Sequence, residues 1–118
     1  MSLKNKIRPG DIWIAEPPKA VGHEQEKERP YLILTKLDEL ELVSAIPLTS
    51  NIEAKRFPFS HLIKRSELNG LLLDSIALCF QITTLSFKRL KKKIGRLEEE
   101  TFIQIKITLQ QYLGLSSE

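Results

Sequence analysis

The stretch RPYLILTKLDELELVSAIPLT, Arg29 to Thr49, decides the fold. Its two apolar runs, Arg29 to Thr35 and Glu41 to Leu48, predict consecutive strands, with Asp38-Glu39 in the connection. Pro30 stands near the start of the first run, where a missing N–H is tolerated. Upstream, Asp11 to Ala15 follows the turn signal Pro9-Gly10 and predicts another strand. Glu16 to Glu28 is polar, carries Pro17-Pro18 and Gly22, and shows no periodicity. It predicts a long loop, and loops of this kind in a small fold are usually functional or mobile.

Downstream, Thr49-Ser50-Asn51 opens a loop. Phe57 to Ile63 predicts an edge strand, because Pro58 would break a central one. Asn69-Gly70 predicts a turn, and Asp74 to Gln81 a buried, aliphatic strand. Ser86 is placed to cap a short helical turn through Leu90, and Lys92 to Leu97 predicts a last strand. Glu98 to Leu113 predicts the main helix, opened by three glutamates that suit the positive end of its dipole. Phe102, Ile105, Leu109 and Tyr112-Leu113 fall at helical spacing, and Gly114 is the stop signal. The class is therefore mainly β (α+β): five or six short strands in a partly open antiparallel barrel, with a short helix and a C-terminal helix. Barrels of this kind often bind oligonucleotides on one face.

The 118 residues give room for one domain, 1–118, and one core. The composition, 42% hydrophobic and 28% charged, is too apolar for a disordered chain. No apolar run approaches the ~20 residues that span a bilayer, and no apolar segment follows the basic N-terminus as in a signal peptide. Cys79 lies alone in an apolar run with no basic neighbour to lower its pKa, so it reads as a small buried hydrophobe in a reducing, cytoplasmic setting. The net charge of +3 suits an anionic partner. Six of the nine residues from Lys88 to Arg96 are cationic, which reads either as a solvated basic turn or as a phosphate-contacting surface.

Four short motifs cluster at strand ends: Pro9-Gly10-Asp11, Gly22-His23-Glu24-Gln25, Arg29-Pro30, and Pro47-Leu48-Thr49-Ser50. In this order the chain resembles the MazF/PemK family of toxin ribonucleases. Asp74-Ser75-Ile76-Ala77-Leu78, Gln81-Ile82, Lys88-Arg89-Leu90 and Ile94-Gly95-Arg96-Leu97 look like the family's later blocks, so the likeness covers roughly Ile7 to Leu115. The resemblance implies a small SH3-like barrel acting as a metal-independent endoribonuclease without cofactor. It also implies sequence selectivity for single-stranded RNA, a homodimer, and a cognate antitoxin that blocks the RNA groove. Carried over by motif, the catalytic arginine falls on Arg29 and the catalytic threonine on Thr49. Glu24 and Gln81 fall on positions the family uses around its RNA site.

The chemistry of these side chains agrees. Metal-free RNA cleavage proceeds by attack of a 2′-OH on the adjacent phosphorus, through a five-coordinate dianion, with departure of the 5′-oxygen. Arg29 is planar and permanently cationic and can hold two phosphate oxygens. Thr49 can hydrogen-bond the 2′-OH or a phosphate oxygen and keep the attack in line. Standing alone, Arg29 would read as a surface ion pair with Glu24 or Glu28, and Thr49 as a loop or cap hydroxyl. His23 has the acid–base chemistry for neutral pH, yet the family does not rely on a histidine there, so it reads as a loop residue contacting solvent or RNA. His61 reads as structural or exposed. Gln25, Ser50 and Lys88 join the expected RNA surface through their motifs, and Phe57 or Phe59 offers a stacking face. Trp13, on a strand, reads as core. No residue spacing suggests a zinc site or a glycine-rich phosphate loop.

The chain also departs from the family. Where many members read acidic-Gln-Ile-Arg, it has Phe80-Gln81-Ile82-Thr83, which predicts altered phosphate contacts or altered sequence preference. Two other functions fit the same barrel: a non-catalytic toxin that inhibits a partner such as gyrase, and a degenerate relative that binds RNA or antitoxin without cutting.

Overall fold

The computed structural model describes residues 3–18 and 27–115. Seven strands form one antiparallel, unclosed sheet: β1 (Asp11–Ala15), β2 (Arg29–Leu37), β3 (Leu42–Thr49), β4 (Ser60–Ile63), β5 (Ser75–Leu78), β6 (Thr83–Ser86) and β7 (Leu90–Arg96). A single α-helix, α1 (Glu99–Tyr112), follows. The strand order is β4-β5-β3-β2-β1-β7, with β6 added beside β3.

The Arg29–Thr49 stretch is the centre of this sheet. β2 and β3 pair from Tyr31↔Pro47 to Leu37↔Leu42, interrupted by a bulge between Ile33 and Thr35. The other edge of β3 is shared. Leu42 to Ala45 carry β6, whereas Leu48 and Thr49 carry β5. The hand-over falls at Ile46-Pro47, where proline has no N–H to donate to a ladder. A buried proline in a central strand thus marks where the sheet divides and bends.

The two faces of the sheet have different cores. Ile12, Leu32, Ile46 and Leu48 point to one face and pack with Ile63, Ala77 and Leu97 under Phe102, Ile105 and Leu109 of α1. On the opposite face Trp13, Ala15, Tyr31, Ile33, Val43 and Ala45 pack with Leu85, Phe87 and Leu90. A smaller cluster of Ala54, Ile76 and Leu78, edged by Leu62 and Phe80, lies on that same face further along. Trp13 is core, as its place on β1 predicts.

Several boundaries differ from the expectation for physical reasons. The predicted strand Phe57–Ile63 starts only at Ser60, because Phe59 takes a left-handed φ of 58° that no strand accommodates. The strand predicted to Gln81 ends at Leu78, and Cys79–Gln81 turn as a 3₁₀ helix. β6, four residues long, was not expected, since so short a run shows no readable alternation. β7 begins two residues before the predicted Lys92. Ser86 does cap the turn Phe87–Arg89, its Oγ accepting from the Lys88 N–H at 3.1 Å. α1 buries Phe102, Ile105 and Leu109, but Tyr112 and Leu113 are exposed.

The Asn69-Gly70 turn is a packing point. A Cβ on Gly70 would lie 1.9 Å from the Ile94 carbonyl oxygen, and one on Gly95 would lie 2.4 Å from the Asn69 carbonyl carbon. Only glycines let these two backbones meet. Asn69 is fully buried, and its Nδ2 donates to Glu98 Oε1 at 3.2 Å while Ser66 Oγ donates to Glu98 Oε2 at 2.6 Å. These bonds tie the turn to the start of α1.

Candidate active site

Strand register builds the site. Ala15 of β1 pairs with Leu90 of β7 on one side and with Arg29 of β2 on the other. The β2–β3 ladder ends at Tyr31↔Pro47, two residues short of Arg29 on one strand and of Thr49 on the other. Thr49 in turn pairs with Ile76 of β5, and Ile76 with Leu62 of β4. Directly paired antiparallel residues share a face, so Leu90, Ala15 and Arg29 form one row, and Thr49, Ile76 and Leu62 another. Arg29 and Thr49 are the polar members of these rows. They stand at the ends of the neighbouring strands β2 and β3, with the Trp13–Tyr31 cluster and the Ile76–Leu78 cluster on either side.

Both are half-buried at strand ends, where backbone pairing fixes the Cα and leaves the side chain facing the sheet surface. Thr49 Oγ1 accepts from the Asn51 N–H at 3.1 Å, and Asn51 Oδ1 accepts from the Glu53 N–H at 3.1 Å. These bonds cap the 3₁₀ turn Ile52–Arg56. The threonine is therefore a turn hydroxyl, as its lone reading would have it. It is nonetheless still able to donate its proton to a ligand, since a hydroxyl both donates and accepts. A cation and an oriented hydroxyl at the ends of neighbouring strands have the chemistry to hold a phosphodiester.

The other expected contacts divide. His23, Glu24 and Gln25 lie outside the described residues. Ser50 is exposed directly after Thr49, and Gln81 is exposed at the end of the turn after β5. Phe57 is 42% exposed and meets Phe80 edge-on, with ring centroids 5.9 Å apart. Phe57 and Gln81 thus lie on the side of the Thr49–Ile76–Leu62 row. Lys88 is exposed on the turn that leads into Leu90, at the far end of the other row, so the fold does not bring it together with them.

Much of the basic run is exposed, and four of its six cations have acidic neighbours. Arg96 Nη1 and Lys93 Nζ lie 2.9 and 3.3 Å from Asp11 Oδ1, and Lys91 lies 3.5 Å from Glu16. Arg89 Nη1 donates to the Pro17 carbonyl at 2.9 Å and lies 4.0 Å from Glu16. Only Lys88 and Lys92 have no acidic neighbour among the described residues. The lysines also charge β7, an edge strand, and an exposed edge so decorated resists pairing with another chain. Asp11 is fully buried, which its local pattern does not signal, with Oδ2 accepting from the Arg8 N–H at 2.9 Å and from Trp13 Nε1 at 3.4 Å.

Burial pushes the Cys79 thiol up to about 11, against a weaker opposing effect of its own backbone N–H, so the thiolate is disfavoured at neutral pH. His61 lies half-buried on β4. Desolvation lowers its pKa and a side-chain hydrogen bond with Gln104 partly opposes this. It sits far along the sheet from Arg29. Among the described residues no group of three metal-ligating side chains is present, and no helix is long and apolar enough to cross a membrane.

The fold is a small protein built on one unclosed antiparallel sheet with a C-terminal helix. Residues 8–113 match the model of the PemK-like, MazF-like toxins of type II toxin–antitoxin systems. The chain belongs to this family. The endoribonuclease MazF9 of Mycobacterium tuberculosis is 31% identical over 120 residues, covering 94% of this chain and 99% of that protein. The endoribonuclease MazF of Staphylococcus epidermidis is 34% identical over 116 residues, covering 94% of each. Among solved structures, the MazE–MazF complex of Deinococcus radiodurans matches with a TM-score of 0.72 at 23% identity, covering 92% of this chain and 96% of that one. A mycobacterial endoribonuclease in complex with its cognate antitoxin matches with a TM-score of 0.69 at 20% identity, covering 92% and 96%. At these identities the structures bear on the fold.

Proposed function

We propose that this MazF-type toxin endoribonuclease cuts single-stranded RNA by metal-independent transphosphorylation, with Arg29 and Thr49 as its catalytic residues. The observation that carries the reading is that the arginine and threonine on which the family's motifs fall stand at the adjoining ends of the neighbouring strands β2 and β3. In the reaction the 2′-oxygen bonds to phosphorus and the P–O5′ bond breaks, leaving a 2′,3′-cyclic phosphate and a 5′-hydroxyl. Charge grows on the non-bridging oxygens, and a fixed guanidinium beside them lowers the barrier most where that charge is greatest. Arg29 takes this role. A protonated arginine is a poor proton donor, so proton delivery to the leaving oxygen falls to another group. Thr49, held by its bond with the Asn51 N–H, orients the 2′-OH or a phosphate oxygen for in-line attack.

The relatives' antitoxin complexes support a cognate antitoxin as the protein partner, bound over this face of the sheet. A homodimer in the cytoplasm completes the reading, with cleavage selective for a short RNA motif. The test is direct. Purified protein in EDTA should cut single-stranded RNA to fragments ending in cyclic phosphate. A requirement for added metal would overturn the mechanism, and gyrase inhibition without RNA cleavage would overturn the activity.

A further inference from the structure

Pairing with Ile76 of β5 fixes the backbone of Thr49, so rotation about χ1 alone decides where its Oγ1 points. The bond that selects the rotamer comes from Asn51, whose backbone N–H donates to Oγ1 at 3.1 Å. The direction of that N–H is set in turn by the 3₁₀ turn Ile52–Arg56. Asn51 Oδ1 accepts from the Glu53 N–H at 3.1 Å and the Asn51 carbonyl from the Ala54 N–H at 3.0 Å, with the Asn51 backbone extended at φ −75° and ψ 101°. Ala54 is buried and packs with Ile76 and Leu78 beneath the turn. Ser60 Oγ, at the start of β4, donates to the Phe57 carbonyl at 2.8 Å with the Lys55 carbonyl 3.1 Å away, which closes the far end. The turn is thus held at both ends and in the middle.

We infer that Asn51 is a positioning residue for RNA cleavage: its side chain caps the turn, and the turn aims the Asn51 N–H so that Thr49 keeps its hydroxyl in the rotamer that meets the bound phosphodiester. The inference deepens the proposed function and rests on it for the part Thr49 plays. A cap needs only a side-chain acceptor. Asn51 does more, because it also gives its N–H backward to the side chain two positions earlier, and one set of backbone angles couples the two bonds. Accepting that bond leaves the Thr49 proton facing away from the Asn51 N–H. An oxygen that accepts one hydrogen bond also donates more strongly through its own O–H. Asn51 therefore supplies alignment rather than charge. Its loss should slow the bound complex and leave affinity for RNA alone.

The experiment follows single-turnover cleavage of single-stranded RNA in EDTA over a range of enzyme concentration, so that the rate at saturation and the half-saturating concentration are read separately. Rates are counted per folded molecule, with the folded fraction taken from urea unfolding. Asn51→Ala should lower the saturating rate about tenfold, by letting the hydroxyl drift from its aligned position, and leave the half-saturating concentration unchanged. Asn51→Ser, which restores a capping acceptor without adding charge, should recover most of that rate. In a Thr49→Ala background Asn51→Ala should cost nothing further, because no hydroxyl is left to aim. Three results would overturn the inference alone: a wild-type rate in Asn51→Ala beside a slow Thr49→Ala, a raised half-saturating concentration with the rate kept, or the same loss repeated in the Thr49→Ala background. A wild-type rate in Thr49→Ala would overturn the catalytic reading, and this inference with it.

Discussion

The two ends of β1 each place an arginine across from the strand, and the two arginines meet different surroundings. At the first end Asp11 pairs with Arg96 of β7, and at the other Ala15 pairs with Arg29 of β2. Arg96 is committed. Its guanidinium, with Lys93, neutralises a carboxylate that is wholly buried and that also accepts bonds from the Arg8 N–H and the Trp13 indole. Arg29 stands half-buried at the start of β2, with apolar clusters on either side. A cation balanced by a buried carboxylate holds the fold. The proposed function gives Arg29 a phosphate instead. Both residues lie in motifs shared with the family, so motif membership alone does not separate framework from chemistry.

Substitutions should separate these ends, and the largest effect belongs to Arg29. Arg29→Ala should lower the single-turnover cleavage rate about a thousandfold or more, while the thermal midpoint stays within a few degrees of wild type. Arg29→Lys should recover little, because an ammonium cannot grip two oxygens in a fixed plane. Thr49→Ala should follow with a loss of about a hundredfold in rate. It should also show a small loss of stability, since the Asn51 N–H loses its acceptor.

At the other end the readout is stability. Asp11→Ala should cost about 3 kcal/mol in urea unfolding, because the Trp13 Nε1 and the Arg8 N–H are left without a partner inside the protein. Cleavage per folded molecule should be nearly unchanged. Lys93→Ala should cost only about 0.5 kcal/mol, since Arg96 still holds the carboxylate.

The smallest effect concerns pH. Desolvation raises the Glu98 pKa, but its bonds with Ser66, its own backbone and Asn69 outweigh this and leave it below the usual glutamate value. A depressed carboxyl contributes stability that is full above its unfolded pKa of about 4.3 and is lost as the pH falls through the folded value. Glu98→Gln should therefore unfold with a shallower loss of stability below about pH 4.3 than wild type. An identical acid limb in the two proteins would show that the Ser66–Asn69 knot does not depend on charge.

Much of this was legible in the residues. The two strands of Arg29–Thr49, the terminal helix and the Ser86 cap follow from apolar runs and capping chemistry, which are local properties. The placing of Arg29 and Thr49 at the ends of consecutive antiparallel strands follows from the same runs. What could not be read depends on tertiary partners. The switch of β3 between β5 and β6 at Pro47, the burial of Asp11 and the close backbone packing that leaves no room for a Cβ at Gly70 arise from contacts far apart in sequence. The basic run looked uniform because sequence shows charges without their counterions; Asp11 and Glu16, more than seventy residues upstream, claim four of its six cations.

The measurement that bears most directly on the division of roles compares Arg29→Ala with Arg96→Ala in one pair of assays: cleavage of single-stranded RNA in EDTA and urea unfolding. Arg29→Ala should lose cutting and keep its unfolding midpoint, and Arg96→Ala should lose stability and keep cutting per folded molecule. Full cleavage by folded Arg29→Ala protein would contradict the account.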